Sequence, residues 1–560
     1  VRKSILVAAV ALVLSSPLFA ADLVTPAQRE AAARITEAGL KADIRFLASD
    51  LLEGRGPATR GDALAEAYIQ ARLEALGLEP GAPGGGWIQK VPLVGIKPTY
   101  GDPAVFSSPK GKETGVLGDN FVAVAGDQRA ESRLADAEIV FVGYGIQAPE
   151  YRWDDFKGAD LKGKVLLVMN NDPEGTPEEP NLFAGKTRLW YGRWDYKYLM
   201  AAKVGAAGAI IIHTTPSAGY GWQVIQTSWK GELFELPPDG SARVAMKMWA
   251  TDDLAKRIAA LGGKDLDALR ASAESRAFRP VPLGVTMSLA FKSAVTRKES
   301  GNVIGLLRGS DQARSGEAVI YTAHHDHLGM KVGAKPGDDV IYNGALDNAS
   351  GVAGVLAIAR AFADLKPRPA RSVYFAFVAG EEQGLLGSEL LAKEPPVPAG
   401  RIAANVNLDG IAYYGRTRDL GMIGLGKSSL DLDVEALAKM QGRSLHGDEF
   451  PDRGTFYRSD QFNFARIGVP AAYLKKGTDV IGKPAGWGRE REDEYVKRDY
   501  HQPSDEFREA WDFSGAVEDM QLAFWLGCRV ADAAAMPRWN KGDEFEAARL
   551  KSLASMPPRP

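Results

Sequence analysis

One stretch, Tyr321 to Asp409, constrains the fold more than any other, because acidic and histidine clusters recur there directly after short apolar runs. Ala318-Val-Ile-Tyr321 leads into Ala323-His324-His325-Asp326-His327, and Val373-Tyr-Phe-Ala-Phe-Val378 leads into Gly380-Glu381-Glu382. Ile402-Ala-Ala-Asn-Val406 leads into Asn407-Leu-Asp409, and a fourth cluster, Asn343-Gly-Ala-Leu-Asp347-Asn348-Ala-Ser350, precedes a helical segment. Short β-branched runs separated by helices read as buried parallel strands. Ligands of open α/β sheets gather at the carboxyl ends of strands. The chain has six histidines, three of them within residues 324–327. Three strand ends carrying His, Glu-Glu and Asp are therefore expected to meet at one edge as a metal site.

A chain of 560 residues implies several domains. Net charge of −3 and a pI near 6.2 give no electrostatic basis for binding nucleic acid or an anionic membrane surface. The single cysteine, Cys528, excludes an intramolecular disulfide and a Cys-based zinc site. It lies in the apolar segment Phe524-Trp-Leu-Gly-Cys528 and reads as a buried thiol. Arg2-Lys3, the apolar run Ile5 to Leu14 and the small-residue stretch ending at Ala20-Ala21 form a signal-peptide pattern over 1–21. That run is too short to span a bilayer. The expectation is a bacterial protein that is periplasmic or secreted, with no membrane insertion after cleavage.

Thr25-Pro26 is a good helix start, and a second helix spans Gly61 to Leu76 with Gly77 as its stop. Texture changes over 112–295. Strands are expected at Ala137–Gly145, Gly163–Met169 and Ala209–His213, with a helix at Tyr196–Val204, but no tight set of acids and histidines. The aromatic and basic run Trp190–Tyr196 fits either a ligand cleft or a small core. The strand-and-helix pattern resumes at Asn302–Leu307. Helices follow at Gly351–Leu365, Ser429–Met440 and Phe513–Ala534, with a loop-rich stretch at Asp448–Arg508. Residues 537–560 read as a poorly packed tail. The fold class is α/β: a mostly parallel mixed sheet flanked by helices, with a smaller β-rich α/β insertion.

Hydrolysis of a peptide bond near neutral pH needs a nucleophile, a Lewis acid and a proton shuttle, and two divalent cations sharing a water can supply the first two. The clusters offer His324, Asp347, Glu382 and Asp409, with His446 or His501 as a further imidazole. His501 is preferred because Tyr500 and Asp505 flank it in a polar loop. Of the pair Glu381-Glu382, one carboxylate can bind metal while the other acts as general base. Asp326, two residues beyond His324, suits the orientation of a ligand or base.

In order and spacing these motifs resemble the co-catalytic zinc exopeptidase family of secreted bacterial leucine aminopeptidases, glutamate carboxypeptidases and the transferrin receptor ectodomain. The resemblance rests on Ala323-His324-x-Asp326-His327, Gly344-Ala-Leu-Asp347-Asn-Ala-Ser-Gly351, Glu381-Glu382-x-Gly384-x-x-Gly387-Ser388 and Asn407-Leu-Asp409. Val140–Gly145, Leu161–Val165 and Ala201–Ala206 resemble the protease-associated domain inserted in many members. It implies an N-terminal part of the peptidase domain at 22–111, an inserted domain at 112–295, a catalytic domain at 296–536 and a tail at 537–560.

It further implies two Zn2+ ions per chain and peptide substrates. Asp347 would bridge the ions, with Glu382 and His501 completing one site and His324 and Asp409 the other. Glu381 would be the general base acting on the shared water, Asp326 its neighbour, and Tyr500 an oxyanion donor. A cis peptide at Asp347-Asn348 is expected as well. Gln461 stands where many relatives carry histidine.

The implied activity is that of an aminopeptidase. A carboxypeptidase or dipeptidase of the same family is the main alternative and would need an arginine clamp from Arg416, Arg453 or Arg458. A single-zinc cyclase or a non-catalytic binding protein on the same scaffold are the others.

Overall fold

The apolar runs are strands, and they lie side by side. The computed structural model describes residues 23–229, 231–331 and 335–556. Its central strands are Ile88–Thr99 (β1), Val281–Leu307 (β2), Ala318–His324 (β3), Ser372–Val378 (β4), Ile402–Asn407 (β5) and Ala471–Lys475 (β6). They are ordered β1-β2-β4-β3-β5-β6, antiparallel from β1 to β4 and parallel from β4 to β6. All residues of β3, β4 and β5 are buried. Val319, Tyr321 and Ala323 enter one apolar core and Ala318 and Ile320 the other, because successive side chains of a strand alternate in direction.

Helices Glu37–Leu47, Ser350–Asp364 and Ser514–Asp532 supply the first core; Leu391 and Phe464 supply the second. From β3 the chain passes to β4 on one side and later to β5 on the other. The crevice beyond His324 is therefore the topological switch point where such sheets bind ligands.

The smaller half is a sheet ordered Phe121–Ala125, Met246–Thr251, Gly208–His213, Val165–Met169, Glu131–Phe141. Helices Trp194–Lys203 and Asp252–Leu261 pack on its opposite faces. The strand β2 joins the halves: its first part pairs with Glu131–Phe141, its middle with β1 and its end with β4. The two halves also touch through the rings of Trp190 and Phe462, 4.8 Å apart.

Three expectations need correction. The strand expected at 302–307 begins at Val281 and runs through the 295/296 boundary. Its middle, Ala294–Glu299, is mostly exposed and charged, so hydropathy hides a ribbon that is held by backbone pairing to β1. The loop-rich stretch contains a helix, Trp487–Arg498, whose dense run of charged residues of both signs leaves no apolar stripe to read. The tail is packed as far as residue 556. Trp539 and Phe545 are buried, and the buried Arg549 donates to the carbonyls of Ala399 and Ile402. The targeting segment at 1–21 lies outside the described residues, among which no helix is long and apolar enough to cross a membrane. Cys528 is free and buried, as expected.

Trp539 also donates its indole N–H to the Gly468 carbonyl at 3.0 Å. Trp539→Ala should therefore lower unfolding stability by about 3–5 kcal/mol. Urea unfolding checks this, and an unchanged midpoint would show that the tail is loosely attached.

Candidate metal centre

The sheet delivers the site one strand end at a time. His324 is the last residue of β3, Glu381 and Glu382 follow the turn after β4, and Asp409 follows β5. Asp347 sits in the loop before helix Ser350–Asp364, and His501 comes just beyond helix Trp487–Arg498. Gly351 lets that helix start flush against the loop, because a Cβ there would overlap the Leu408 carbonyl and the Asn348 side chain. The Asp347–Asn348 peptide bond is cis, as the resemblance implied.

All five expected donors meet. His324 Nε2 lies 3.2 Å from Asp347 Oδ1 and 3.6 Å from Asp409 Oδ1. His501 Nε2 lies 3.1 Å from Asp347 Oδ2 and 3.2 Å from Glu382 Oε2. Asp347 thus turns one oxygen to each imidazole. Bonds of about 2.0–2.1 Å to a tetrahedral ion place its ligand atoms about 3.3 Å apart, so both sets have the spacing and the nitrogen and oxygen chemistry to hold a divalent cation. His324 Nδ1 faces the Asp326 carbonyl at 3.2 Å. A carbonyl only accepts, so Nδ1 carries its proton there and Nε2 is the nitrogen that faces the carboxylates.

The surrounding shell holds these donors from the backbone. Asp326 is fully buried and accepts from the Glu381 N–H at 3.1 Å and the Glu382 N–H at 3.4 Å. It orients the backbone of the glutamate turn rather than the Glu381 carboxylate directly. Asp505 accepts from the backbone N–H groups of Leu346 and Asp347, both at 3.1 Å, which fixes the bridging loop. Ser459 donates to Asp409 Oδ2 at 2.7 Å, and Lys475 donates to the Asp409 carbonyl at 3.1 Å. Tyr500 is 44% exposed and stacks on His501 with ring centres 3.9 Å apart. Glu381 has no side-chain hydrogen bond among the described residues, yet the charges of His324, Asp409 and Glu382 all act on it.

Two supporting residues escaped sequence reasoning. His327 is buried, with Nδ1 2.6 Å from Glu382 Oε1, so Glu382 is clamped on one oxygen and presents the other to His501. Its place in the motif was visible, but not its partner. Arg55 is buried behind the site and donates to the carbonyls of His325, Asn343 and Gly344. Nothing in the loop Leu52–Thr59 announces that contact across nearly 300 residues.

The alternatives separate clearly. His446 pairs with Asp419 at 3.2 Å, away from the cluster, and His213 binds the Tyr220 carbonyl. Gln461 is buried and bridges Asn407 to the Phe456 carbonyl. It buttresses the end of β5 rather than lining an open cleft. A third group, Asp62, Glu66 and His325, lies below the sheet edge, with His325 Nδ1 3.3 Å from Asp62 Oδ1. Of the three arginines, Arg416 is taken by Glu518 and Arg453 lies over the Phe450 ring, whereas Arg458 has no carboxylate bonded to it among the described residues.

Burial would lower the His501 pKa, but Glu382 and Asp347 overcome it and raise the group to about 9. His324 is likewise raised well above its usual range despite burial, by Glu381, Asp347 and Asp409. Burial drives Glu381 well upward, opposed by His324 and reinforced by Asp409, Glu382 and Asp460. Burial alone would raise Asp347, but the two imidazoles hold it well below the usual carboxylate range. The surrounding carboxylates thus favour the protonated form of both imidazoles.

The donor set has the chemistry to hold divalent cations, and the sequence model of peptidase family M28 matches residues 302–525, which contain all five donors. The family resemblance carried by the motifs holds over that segment. A "Probable zinc metalloprotease" of Pyrenophora teres f. teres (strain 0-1) is 53% identical over 66 residues, 12% of this chain and 14% of that protein. One of Phaeosphaeria nodorum (strain SN15) is 34% identical over 118 residues, 19% and 23% of the respective chains. The chain spans less than a quarter of the length of either of these curated relatives. Among solved structures, "Aminopeptidase from Aneurinibacillus sp. strain AM-1" aligns at a TM-score of 0.48 and 19% identity, covering 92% of this chain and 97% of that one. A zinc aminopeptidase from Bacillus subtilis aligns at 0.42 and 18%, covering 87% and 93%.

A cation competes with protons for the His501 and His324 nitrogens. Because the folded pKa of His501 is raised to about 9, affinity should climb with pH between 6 and 9 and flatten above. Calorimetric titration of metal-stripped protein in buffers of different ionisation enthalpy should show proton release. A pH-independent affinity would contradict the arrangement.

Proposed function

We propose that this protein is a zinc-dependent exopeptidase that removes N-terminal residues from peptides, with two zinc ions per chain. The observation that carries the assignment is the divided Asp347 carboxylate, one oxygen on the His324 side and the other on the His501 side. His324, Asp347 and Asp409 would hold one ion; His501, Asp347 and Glu382 would hold the other. Zinc held there supplies a Lewis acid for the peptide carbonyl and lowers the pKa of water.

The chain's own groups do the rest. Glu381, free of side-chain hydrogen bonds among the described residues, takes the proton of the attacking water and passes it to the nitrogen of the departing amine. Asp326 keeps it in place through the two backbone N–H groups of the glutamate turn. Tyr500, packed on His501 with its ring partly in solvent, donates its hydroxyl to the carbonyl oxygen as negative charge builds. We read residues 112–295 as a protease-associated insertion. The segment 1–21 supports an exported enzyme, periplasmic or secreted.

One observation favours a second reading. Arg458, next in sequence to the Ser459 that donates to Asp409, has no bonded carboxylate among the described residues, as a carboxypeptidase or dipeptidase clamp would.

Glu381→Gln should lower kcat by about a hundredfold to ten-thousandfold while leaving bound zinc unchanged; retained turnover would remove Glu381 from the mechanism. Purified protein should carry close to two zinc ions per chain by elemental analysis, and a value near one would favour the cyclase-like alternative. Leucine anilides with a free amine should be cleaved and N-acylated peptides with a free carboxyl terminus should not. The reverse pattern would establish the carboxypeptidase.

A further inference from the structure

One buried histidine outside the donor cluster faces carboxylates much as His324 and His501 do within it. His325 follows β3 directly, and its Nε2 lies 3.0 Å from the Gly301 carbonyl. A carbonyl only accepts, so Nε2 carries the proton and Nδ1 is left to face Asp62 Oδ1, 3.3 Å away. Asp62 stands in the first turn of helix Arg60–Ala75, and both residues are 1% exposed. Its other oxygen is fully engaged: Oδ2 accepts from the Ala58 N–H at 2.7 Å and from the Ser300 hydroxyl at 2.6 Å. Those bonds fix the carboxylate and turn Oδ1 towards the histidine.

Among the described residues, His325 Nδ1 and Asp62 Oδ1 have no hydrogen-bond partner, although they are buried and close together. The oxygen therefore stands off the line along which the ring nitrogen would donate. A hydrogen-bonded histidine nearby looks different, since His327 Nδ1 meets Glu382 Oε1 at 2.6 Å. The separation at His325 is instead that of two ligand atoms around a tetrahedral ion. It matches the 3.2 and 3.1 Å that part His324 and His501 from Asp347. Glu66, four residues after Asp62 and so on the same face of the helix, brings a second carboxylate within 4.8 Å of both atoms. No lysine or arginine pairs with either acid among the described residues. His446 and Asp419 also stand 3.2 Å apart, but no second acid joins them there.

From this geometry we infer that Asp62, Glu66 and His325 form a further cation site, separate from the candidate metal centre, for a divalent transition metal such as zinc. An ion on the lone-pair axis of Nδ1 binds an oxygen that stands to one side of that axis, where a hydrogen bond cannot. One imidazole and two carboxylates suit zinc, cobalt or manganese. A divalent charge also balances both acids, where a proton on the ring would balance one. The ion would tie helix Arg60–Ala75 and Ser300 of β2 to the residue after His324, so it is a structural clamp and takes no part in the reaction. Glu66 is half-buried and loses side-chain freedom when it closes on the ion. This ion is therefore held more weakly than those of the centre and loads last. The site does not depend on the peptidase assignment.

Equilibrium dialysis of the full chain against rising zinc concentrations, with bound metal counted by elemental analysis, tests the site without any assay of turnover. Wild-type protein dialysed into zinc-free buffer keeps the ions of the centre, and at saturating zinc it should carry one ion per chain more. Asp62→Asn and Glu66→Gln keep the side-chain shapes and remove a charge, so each should saturate one ion per chain below wild type. Glu66→Gln leaves the buried bonds of Asp62 untouched and reads the site even where Asp62→Asn folds poorly. Loading the last ion should also raise the Tm of the wild type and not that of Glu66→Gln. A wild-type protein that takes up no ion beyond those it retains would overturn the site. So would a Glu66→Gln protein that saturates at the wild-type level. The count is a difference between proteins, so it reads the same whether the centre itself holds one ion or two.

Discussion

The sharing of one carboxylate between two imidazoles is the constraint on which the rest of the structure depends. Asp347 and His324 are buried and the Glu382 side chain is 3% exposed, and carboxylates in such surroundings are costly unless each is met by a donor or a cation. The fold answers with geometry supplied from the backbone. Asp505 holds the Asp347 loop, Asp326 holds the glutamate turn, and His327 fixes one oxygen of Glu382. Arg55 binds the carbonyls on which the histidine segment and the Asp347 loop are hung. Burial pulls its pKa down to about 10, and the carboxylates Asp326, Asp505, Asp347 and Glu382 pull the other way. A buried cation behind an acidic cluster thus contributes to the field of the site without touching its donors.

The smaller half is not a remote appendage in this arrangement. The strand β2 is common to both sheets, so the position of one half is tied to the other through main-chain hydrogen bonds. The aromatic contact of Trp190 with Phe462 and the anchoring of Arg188 to Pro451 close the same junction from the other side. The aromatic and basic run at 190–196, for which a cleft and a core were equally good readings, serves both ends. Tyr196 is buried in the smaller half's core, while Trp190 meets Phe462 across the junction.

What could be read from the sequence had local signatures. Buried parallel strands announce themselves as unbroken apolar runs, and the residues just beyond them are placed at one sheet edge by topology alone. This is why His324, Glu381, Glu382 and Asp409 could be named together. His501 needed more, since a loop residue has no periodicity to place it, and only the polar neighbours Tyr500 and Asp505 set it apart from His446. The exposed ribbon at 294–299, the charged helix Trp487–Arg498 and the packed tail were hidden because long-range packing, not local hydropathy, stabilises them.

The sequence by itself determined the α/β class, the order of the strands along the chain and the chemistry of the donor set, since these follow from short-range patterns of polarity and residue type. Only the tertiary structure decided which oxygen of Asp347 faces which histidine, that Glu382 is clamped by His327, and that Gln461 is a buttress. Those facts depend on distances between segments hundreds of residues apart. They are fixed by the packing of the two halves around a shared strand, which no local pattern encodes.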